Sequence, residues 1–161
     1  MRCSGNFTCL LMSVIVLPFC LSRDTITAST VSRITYPGND TLVSAGEQFE
    51  LGFFTPTGSS DLRYIGIWYY RSDPPIIVWV ANRNDPLIGH TGWFGLLDGK
   101  LQLWKRQLIW STNVISSSSS TLFAKLLDTG NLVLMEDDGS KSIPWRSFDY
   151  PTDIPSWDAD D

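Results

Sequence analysis

The sequence predicts an all-β domain made of repeated units that share one core. Two Leu-x-Leu stretches, at residues 101–103 and 132–134, lie 31 residues apart. Trp79 and Trp110 show the same 31-residue interval, and Trp145 follows 35 residues later. A repeat of this length indicates supersecondary units that bury a common core. Apolar and polar residues alternate between the turns, which is typical of strands with one buried face.

The N-terminal half of the chain is expected to form strands and turns. Residues 24–35 are mostly small or β-branched, which favours an extended edge segment. The Pro-Gly-Asn-Asp stretch at residues 37–40 predicts a turn. Residues 49–54 alternate, with Phe49, Leu51 and Phe53 on one face, and residues 64–70 and 76–80 continue as further strands.

The C-terminal half is predicted to consist of hairpins. Asp98-Gly99 and Asp138-Gly139 are dipeptides that favour type I′ turns, because both central residues of that turn need a positive φ. The serine run at residues 116–120 predicts a flexible loop between two units.

Three of the seven tryptophans recur once in each unit, at Trp79, Trp110 and Trp145. We expect them to meet at a shared centre, where each ring buries on the order of 200 Å². The alternative is that these rings form an aromatic platform for a sugar. Their repetition favours the core.

The first 22 residues are expected to be a secretion signal. Arg2 supplies the positive start, residues 10–19 are apolar, and small residues precede Arg23. The alternative, a membrane anchor, is weaker because the run is about half of the roughly 20 residues that cross a bilayer. All three cysteines, Cys3, Cys9 and Cys20, lie within this segment.

The mature chain would be acidic and glycosylated. Without Arg2 it holds 11 basic and 17 acidic residues, which gives a net charge of −6. That balance argues against nucleic acid or an anionic membrane as a partner. Asn39-Asp40-Thr41 is an N-glycosylation sequon in a predicted turn. No later stretch is long and apolar enough to be expected to span a membrane.

An enzyme is the class that the residues favour least. The single histidine, His90, lies in a Gly-His-Thr-Gly loop, and the mature chain offers no cysteine as a nucleophile or metal ligand. Glycine-rich phosphate loops and the His-Arg-Asp and Asp-Phe-Gly motifs of kinases are also absent from the sequence. We therefore expect no catalytic residue, cofactor or metal.

Six motifs in order carry a resemblance to a known family. They are Phe-Glu-Leu-Gly-Phe-Phe, Tyr-Ile-Gly-Ile-Trp-Tyr, Val-Trp-Val-Ala-Asn-Arg, Trp-Ser-Thr-Asn, Leu-Asp-Thr-Gly-Asn-Leu-Val-Leu and Trp-Arg-Ser-Phe-Asp-Tyr-Pro-Thr-Asp, from residue 49 to residue 153. The chain from 23 to 153 resembles the bulb-type, mannose-binding, agglutinin-like lectin domain of plant S-domain receptor-like kinases and S-locus glycoproteins. This resemblance implies a β-prism II fold, in which three four-stranded antiparallel sheets surround a pseudo-threefold axis.

The resemblance also implies where a sugar would bind. Sugar-binding members can carry Gln-x-Asp-x-Asn-x-Val-x-Tyr on one strand of each unit, with all five side chains on one face. The third unit places Leu127, Thr129, Asn131, Val133 and Met135 at these positions. The second unit places Leu96, Asp98, Lys100, Gln102 and Trp104 there, and a less secure alignment of the first unit gives Ala45, Glu47, Phe49, Leu51 and Phe53.

Asp98, Asn131 and Val133 are therefore the candidate carbohydrate-binding residues. Asp98 and Asn131 have an alternative role as turn residues that bond their own backbone. Each missing hydrogen bond costs on the order of 1 kcal/mol, so we expect α-mannose binding to be weak or lost.

Two functional hypotheses remain open. The first is a secreted, apoplastic lectin-type domain that touches a mannose-type glycan. The second is a protein-interaction module that pairs with receptor-kinase ectodomains, for which Trp68, Tyr69 and Tyr70 are the first surface to test. The alternative is that these residues lie in the core, where aromatic strand residues are more often found. Residues 154–161 are expected to be an acidic C-terminal tail. Three explanations of this end are open: a short splice form, a disrupted gene model that truncates a receptor, and a genuine soluble product. A piece of a receptor kinase would belong at the plasma membrane.

Overall fold

The computed structural model describes residues 23–28, 32–114, 121–140 and 142–152. These residues form β-strands, turns and a short 3₁₀ helix, Ser147–Asp149, without any α-helix. The expected signal segment 1–22, the serine loop 116–120 and the acidic tail 154–161 lie outside the described residues.

Thirteen short strands are found in the described part of the chain. In order they are β1 (Thr25–Ile26), β2 (Ile34–Tyr36), β3 (Leu42–Val43), β4 (Phe49–Phe54), β5 (Leu62–Tyr69), β6 (Ile77–Val80), β7 (Leu87–Ile88), β8 (Gly92–Leu97), β9 (Lys100–Trp104), β10 (Leu108–Ser111), β11 (Leu122–Leu126), β12 (Leu132–Glu136) and β13 (Trp145–Arg146).

The strands of the described residues form three antiparallel sheets. Their orders are β3-β4-β5-β6, β2-β8-β9-β10 and β1-β11-β12-β13, which we call the first, second and third sheets. The short strand β7 adds a fifth strand by pairing with β5. The predicted all-β fold is confirmed, and the three sheets are consistent with a β-prism II. The expected edge segment at 24–35 is divided between two sheets, as edge strands β1 and β2.

Strand register shows which residues of the three sheets are equivalent. Each central tryptophan lies opposite an apolar residue of the neighbouring strand. These cross-strand pairs are Ile67 with Trp79, Leu103 with Trp110, and Leu134 with Trp145. The strands β5, β9 and β12 therefore occupy the same position in the three sheets. The Leu-x-Leu repeat seen in the sequence marks this position in the second and third sheets.

The three tryptophans meet on the prism axis. Their ring centroids are 6.0–6.1 Å apart and their planes cross at 70–75°, so each ring contacts the other two edge to face. Trp79 and Trp145 are buried, as predicted for core residues. Trp110 is only half-buried. Apolar residues from all three sheets surround this centre: Ile65, Ile67, Phe94, Leu96, Leu101, Leu103, Leu132 and Leu134.

A buried polar side chain follows each central tryptophan and joins two strands of its sheet. Asn82 Oδ1 accepts a hydrogen bond of 2.9 Å from the Ile65 amide. In the other sheets Thr112 Oγ1 and Ser147 Oγ accept from the equivalent amides, those of Leu101 and Leu132, at 3.2 and 3.0 Å. These contacts satisfy amides that would otherwise be buried without a partner. The threefold repeat thus extends to polar groups of different chemistry.

The two Asp-Gly dipeptides form different turns. Asp98 and Gly99 have φ values of 50° and 71° and join β8 to β9, which fits the predicted type I′ hairpin. At Asp138-Gly139 only Gly139 has a positive φ, and the prediction of a second type I′ hairpin is wrong. The Asp138 carboxylate instead accepts a hydrogen bond of 2.8 Å from the Ser140 amide, which stabilises a longer connection between β12 and β13.

Candidate carbohydrate site

The outer faces of β5, β9 and β12 hold the positions where the resemblance places sugar contacts. Register places Tyr64, Lys100 and Asn131 at the position of the pattern's Asn. The Val position holds Gly66, Gln102 and Val133, and the Tyr position holds Trp68, Trp104 and Met135.

The alignment of the first unit to residues 45–53 is wrong. Phe49, Leu51 and Phe53 lie on β4, and their side chains contribute to the core rather than the outer face. The equivalent strand is β5. The error arose because the connection between β5 and β6 is longer than the one between β9 and β10, which shifts the first repeat out of the 31-residue interval.

The five-residue pattern does not lie on a single strand face in the second and third units. In the third unit Leu127 follows the end of β11, and Thr129 is exposed in the turn before β12. In the second unit Leu96 faces the core and is 1% exposed. The turn between the two strands reverses the chain, so the period-2 argument holds only for the last three positions of the pattern.

Asn131 uses its side-chain oxygen within the fold. Its Oδ1 accepts hydrogen bonds from the Ser147 hydroxyl at 3.0 Å and the Phe148 amide at 3.3 Å. Asn131 thereby fixes the 3₁₀ helix against the start of β12. This role differs from the alternative raised above, in which Asn131 bonds its own backbone as a turn residue.

Val133 is on the outer face of the third sheet but is only 1% exposed. Its neighbours in register are Lys125 on β11 and Arg146 on β13. The Lys125 ammonium forms an ion pair of 3.3 Å with the Asp24 carboxylate. Burial opposes ionisation of Asp24, but hydrogen bonds from Thr25 and Lys125 and the Lys125 charge outweigh it and lower the Asp24 pKa. Because Val133 is only 1% exposed, the valine surface that would pack on a sugar ring is covered.

The outer face of the second sheet is occupied by a stack of large side chains. The Arg33 guanidinium lies 3.8 Å from the centroid of the Trp93 ring. Trp93 and Trp104 are nearly parallel, with centroids 6.1 Å apart, and Trp104 Nε1 donates to the Gln102 side chain. Asp98 is exposed in the hairpin turn beyond this stack. The structure gives Asp98 the backbone role of a positive-φ turn residue.

The outer face of the first sheet is filled by an aromatic cluster. Phe54 stacks on Tyr64 at 5.7 Å and meets the edge of Trp68 at 6.3 Å. Trp68 Nε1 donates a hydrogen bond of 3.0 Å to Glu50, and burial raises the pKa of Tyr64. Gly66 provides the space for Phe54, because a Cβ at Gly66 would lie 2.6 Å from the Phe54 ring. The Val position thus has no side chain in this sheet.

The surface proposed for protein pairing is only partly exposed. Trp68 is 8% exposed and belongs to the core, as the alternative for aromatic strand residues predicts. Tyr69 is 48% exposed, and Tyr70 is half-buried with its ring near the Arg71 guanidinium.

The described residues hold neither a candidate metal cluster nor a candidate membrane-spanning helix. No group of three or more His, Cys, Asp or Glu side chains among them could hold a metal ion. No helix among them is long and apolar enough to cross a membrane. A cavity of about 580 Å³ lies between residues 85–88 and 105–109, and none of the outer-face positions compared above lines it.

Comparison with known proteins identifies the domain. Residues 76–156 match the family described as D-mannose binding lectin. A G-type lectin S-receptor-like serine/threonine-protein kinase of Arabidopsis thaliana is 49% identical over 119 residues, which cover 71% of this chain and 14% of the kinase. A putative kinase of the same type and organism is 41% identical over 152 residues, 92% of this chain and 18% of the kinase.

A relative that is described as a glycoprotein matches over a similar range. The S-locus-specific glycoprotein S6 of Brassica oleracea is 38% identical over 156 residues, which cover 93% of this chain and 35% of that protein. The chain thus spans between about a seventh and a third of the length of these relatives. It corresponds to the lectin part of their ectodomains, and its 161 residues hold no kinase domain. The sequence motifs, the three-sheet fold and the matched residues agree, and the chain belongs to the bulb-type D-mannose binding lectin family.

Proposed function

We propose that this chain is a secreted, lectin-type recognition domain whose α-mannose binding is weak or lost. Family membership supports recognition as its role. One observation carries the loss of mannose binding: each of the three outer faces is occupied by side chains of the protein itself. The clearest case is Val133, which is 1% exposed.

The size of the loss follows from the missing donors and acceptors. In the third sheet Leu127, Thr129 and Met135 replace the Gln, Asp and Tyr of the sugar-binding pattern. Each hydrogen bond contributes about 1 kcal/mol, and a hydroxyl left unpaired costs more. Three missing bonds therefore weaken binding by roughly 100-fold, since every 1.4 kcal/mol is tenfold in Kd. Monovalent sugar binding in simple lectins is already weak, so a loss of this size could abolish it.

A glycan array with the purified chain tests this proposal. An unrelated β-sandwich protein of similar charge serves as the control for non-specific binding. We expect signals on α-mannose glycans no higher than those of the control protein. Strong, mannose-competed binding to these glycans would contradict the proposal.

Secretion and glycosylation form part of the same proposal. Asn39 is exposed in the connection between β2 and β3, where a glycosyltransferase can reach it. After expression through a plant secretory pathway, we expect the protein in the medium with one N-glycan and a mass that falls on treatment with a glycosidase. Asn39→Gln removes this shift. Retention of the shift in that variant would place the glycan elsewhere.

A second candidate function is pairing with the ectodomain of a receptor kinase. Two neighbouring exposed residues favour it, Tyr69 at 48% and Ile76 at 58%, which are joined by a backbone hydrogen bond of 3.3 Å. Tyr69→Ser is expected to weaken co-purification with such an ectodomain. Leu108→Ser, at a 43% exposed site on the second sheet, is the matched control. Equal pairing of the wild type and both variants would count against this surface.

A further inference from the structure

A cleft near the three central tryptophans is separate from the three outer faces. It consists of two adjoining cavities of about 120 and 260 Å³, which share Ala81, Trp110 and Thr152 in their walls. Together they reach the range, from roughly 300 Å³ upward, that is usual for small-ligand sites. None of the outer-face positions compared above contributes to this cleft.

Tyr150 provides an exposed aromatic ring in the wall of the cleft. Its side chain is 52% exposed, and its ring lies parallel to that of Trp145 within 14°, with centroids 5.9 Å apart. The backbone around it is fixed at both ends: the Tyr150 amide donates to Ser147, and the Tyr150 carbonyl accepts from Trp79 Nε1 at 3.1 Å. The ring is therefore held in place before any ligand arrives, which reduces the entropy lost on binding.

Trp110 supplies a second aromatic surface. It is half-buried, whereas Trp79 and Trp145 are 3% and 4% exposed, and it forms part of both cavities. The threefold symmetry of the tryptophan centre is therefore broken on the side of the cleft. A ligand in the cleft would contact Trp110 and Tyr150 together.

The remaining walls combine Val80, Ala81 and Pro151 with polar side chains that are nearly balanced in charge. The smaller cavity is lined by Ser111, Asn113 and Thr152. The larger cavity is lined by Asn84 and by two residues of opposite charge, Arg83 and Asp85. Hydroxyl and amide groups can both donate and accept hydrogen bonds. Such walls fit a neutral ligand with many hydroxyls, and the aromatic rings require that it also has an apolar face.

We propose that this cleft binds a neutral glucose-type pyranose within a β-linked oligosaccharide. A pyranose whose hydroxyls are all equatorial presents its C–H groups on flat, apolar ring faces, which can pack on Tyr150 and Trp110. Its hydroxyls then point to the polar walls. Mannose carries an axial hydroxyl that interrupts one of these faces. The inference rests on the proposed recognition function but assigns it to a different surface.

Titration with cellotriose, followed by NMR of the tryptophan indole N–H groups, tests the proposal. The wild-type chain is expected to show saturable shifts that include the Trp110 indole. Tyr150→Ala should raise the Kd at least tenfold, because it removes the exposed ring, and Asn113→Ala should raise it about threefold. Phe148→Ala is the matched control: Phe148 is 53% exposed two residues away but does not line the cleft.

Two results would overturn the proposal. One is the absence of saturable shifts in the wild type at tens of millimolar cellotriose. The other is an equal loss of affinity in Phe148→Ala and Tyr150→Ala, which would indicate a general effect on the 3₁₀ helix. Neither result bears on the loss of mannose binding, which is measured on the outer faces. Strong mannose binding there would refute the proposed function and leave the cleft assignment intact.

Discussion

Replacement of Asn82 by alanine tests the polar groups that hold the three sheets. Asn82 is 1% exposed. Its Oδ1 accepts from the Ile65 amide, and its Nδ2 donates to the carbonyls of Arg63 at 3.2 Å and Asp85 at 2.9 Å. Asn82→Ala removes all three bonds and leaves buried groups of Ile65 and Arg63 without these partners. Buried groups left unpaired cost about 1–3 kcal/mol each, so we expect a total loss of about 3–5 kcal/mol.

The equivalent position of the second sheet provides a control of similar burial. Thr112 is 2% exposed, and its hydroxyl accepts one hydrogen bond, from the Leu101 amide. Thr112→Val keeps the shape of the side chain and removes that single bond, which should cost about 1–2 kcal/mol. The backbone bond from the Thr112 amide to the Leu101 carbonyl remains.

Urea unfolding followed by tryptophan fluorescence measures both free energies, with the m-values checked for constancy. Asn82→Ala should lose two to three times as much unfolding free energy as Thr112→Val. A loss below about 1 kcal/mol in Asn82→Ala, or equal losses in the two variants, would refute the idea that Asn82 joins its strands through several buried bonds.

Two further changes test the outer faces. Gly66→Ala should destabilise the fold by about 1–3 kcal/mol, because its Cβ would lie 2.6 Å from the Phe54 ring and 3.0 Å from the Trp79 carbonyl oxygen; an unchanged urea midpoint would contradict this. The lowered pKa of Asp24 stabilises the folded state above the unfolded pKa, and this stabilisation is lost as the pH falls through the folded value. As the pH is lowered from about 5 to 2, the free energy of unfolding of Asp24→Asn should therefore fall less than that of the wild type. Parallel plots of unfolding free energy against pH would exclude a role for the pair with Lys125.

The sequence predicted the architecture well because the repeat records core positions. Leu103 and Leu134 share a 31-residue spacing, and both pair with a central tryptophan on the adjacent strand. Core positions must alternate and recur, so they leave a periodic signal. The type I′ turn at Asp98-Gly99 was predictable for a similar reason, since few residue pairs accept two positive φ angles.

The candidate site was harder to predict because it depends on register and on side-chain partners. A longer connection before β6 hid the equivalence of β5 with β9 and β12. The hydrogen bonds from Ser147 and Phe148 to Asn131 join residues that are 16 and 17 positions apart, and no local sequence pattern predicts them. The burial of Val133 likewise depends on side chains of neighbouring strands, whose positions follow only from the assembled sheet.

Titration of the wild-type chain with methyl α-mannoside, followed through the methyl groups of Val133 by carbon–proton NMR, tests directly whether the mannose site is lost. The buried valine Val114, which lines neither the outer face nor the cleft, serves as the internal reference. We predict no saturable shift of the Val133 methyl groups at tens of millimolar sugar, because this side chain is covered and its neighbouring positions lack the required donors. A saturable shift of Val133 in the low millimolar range, with Val114 unchanged, would contradict the loss of the mannose site.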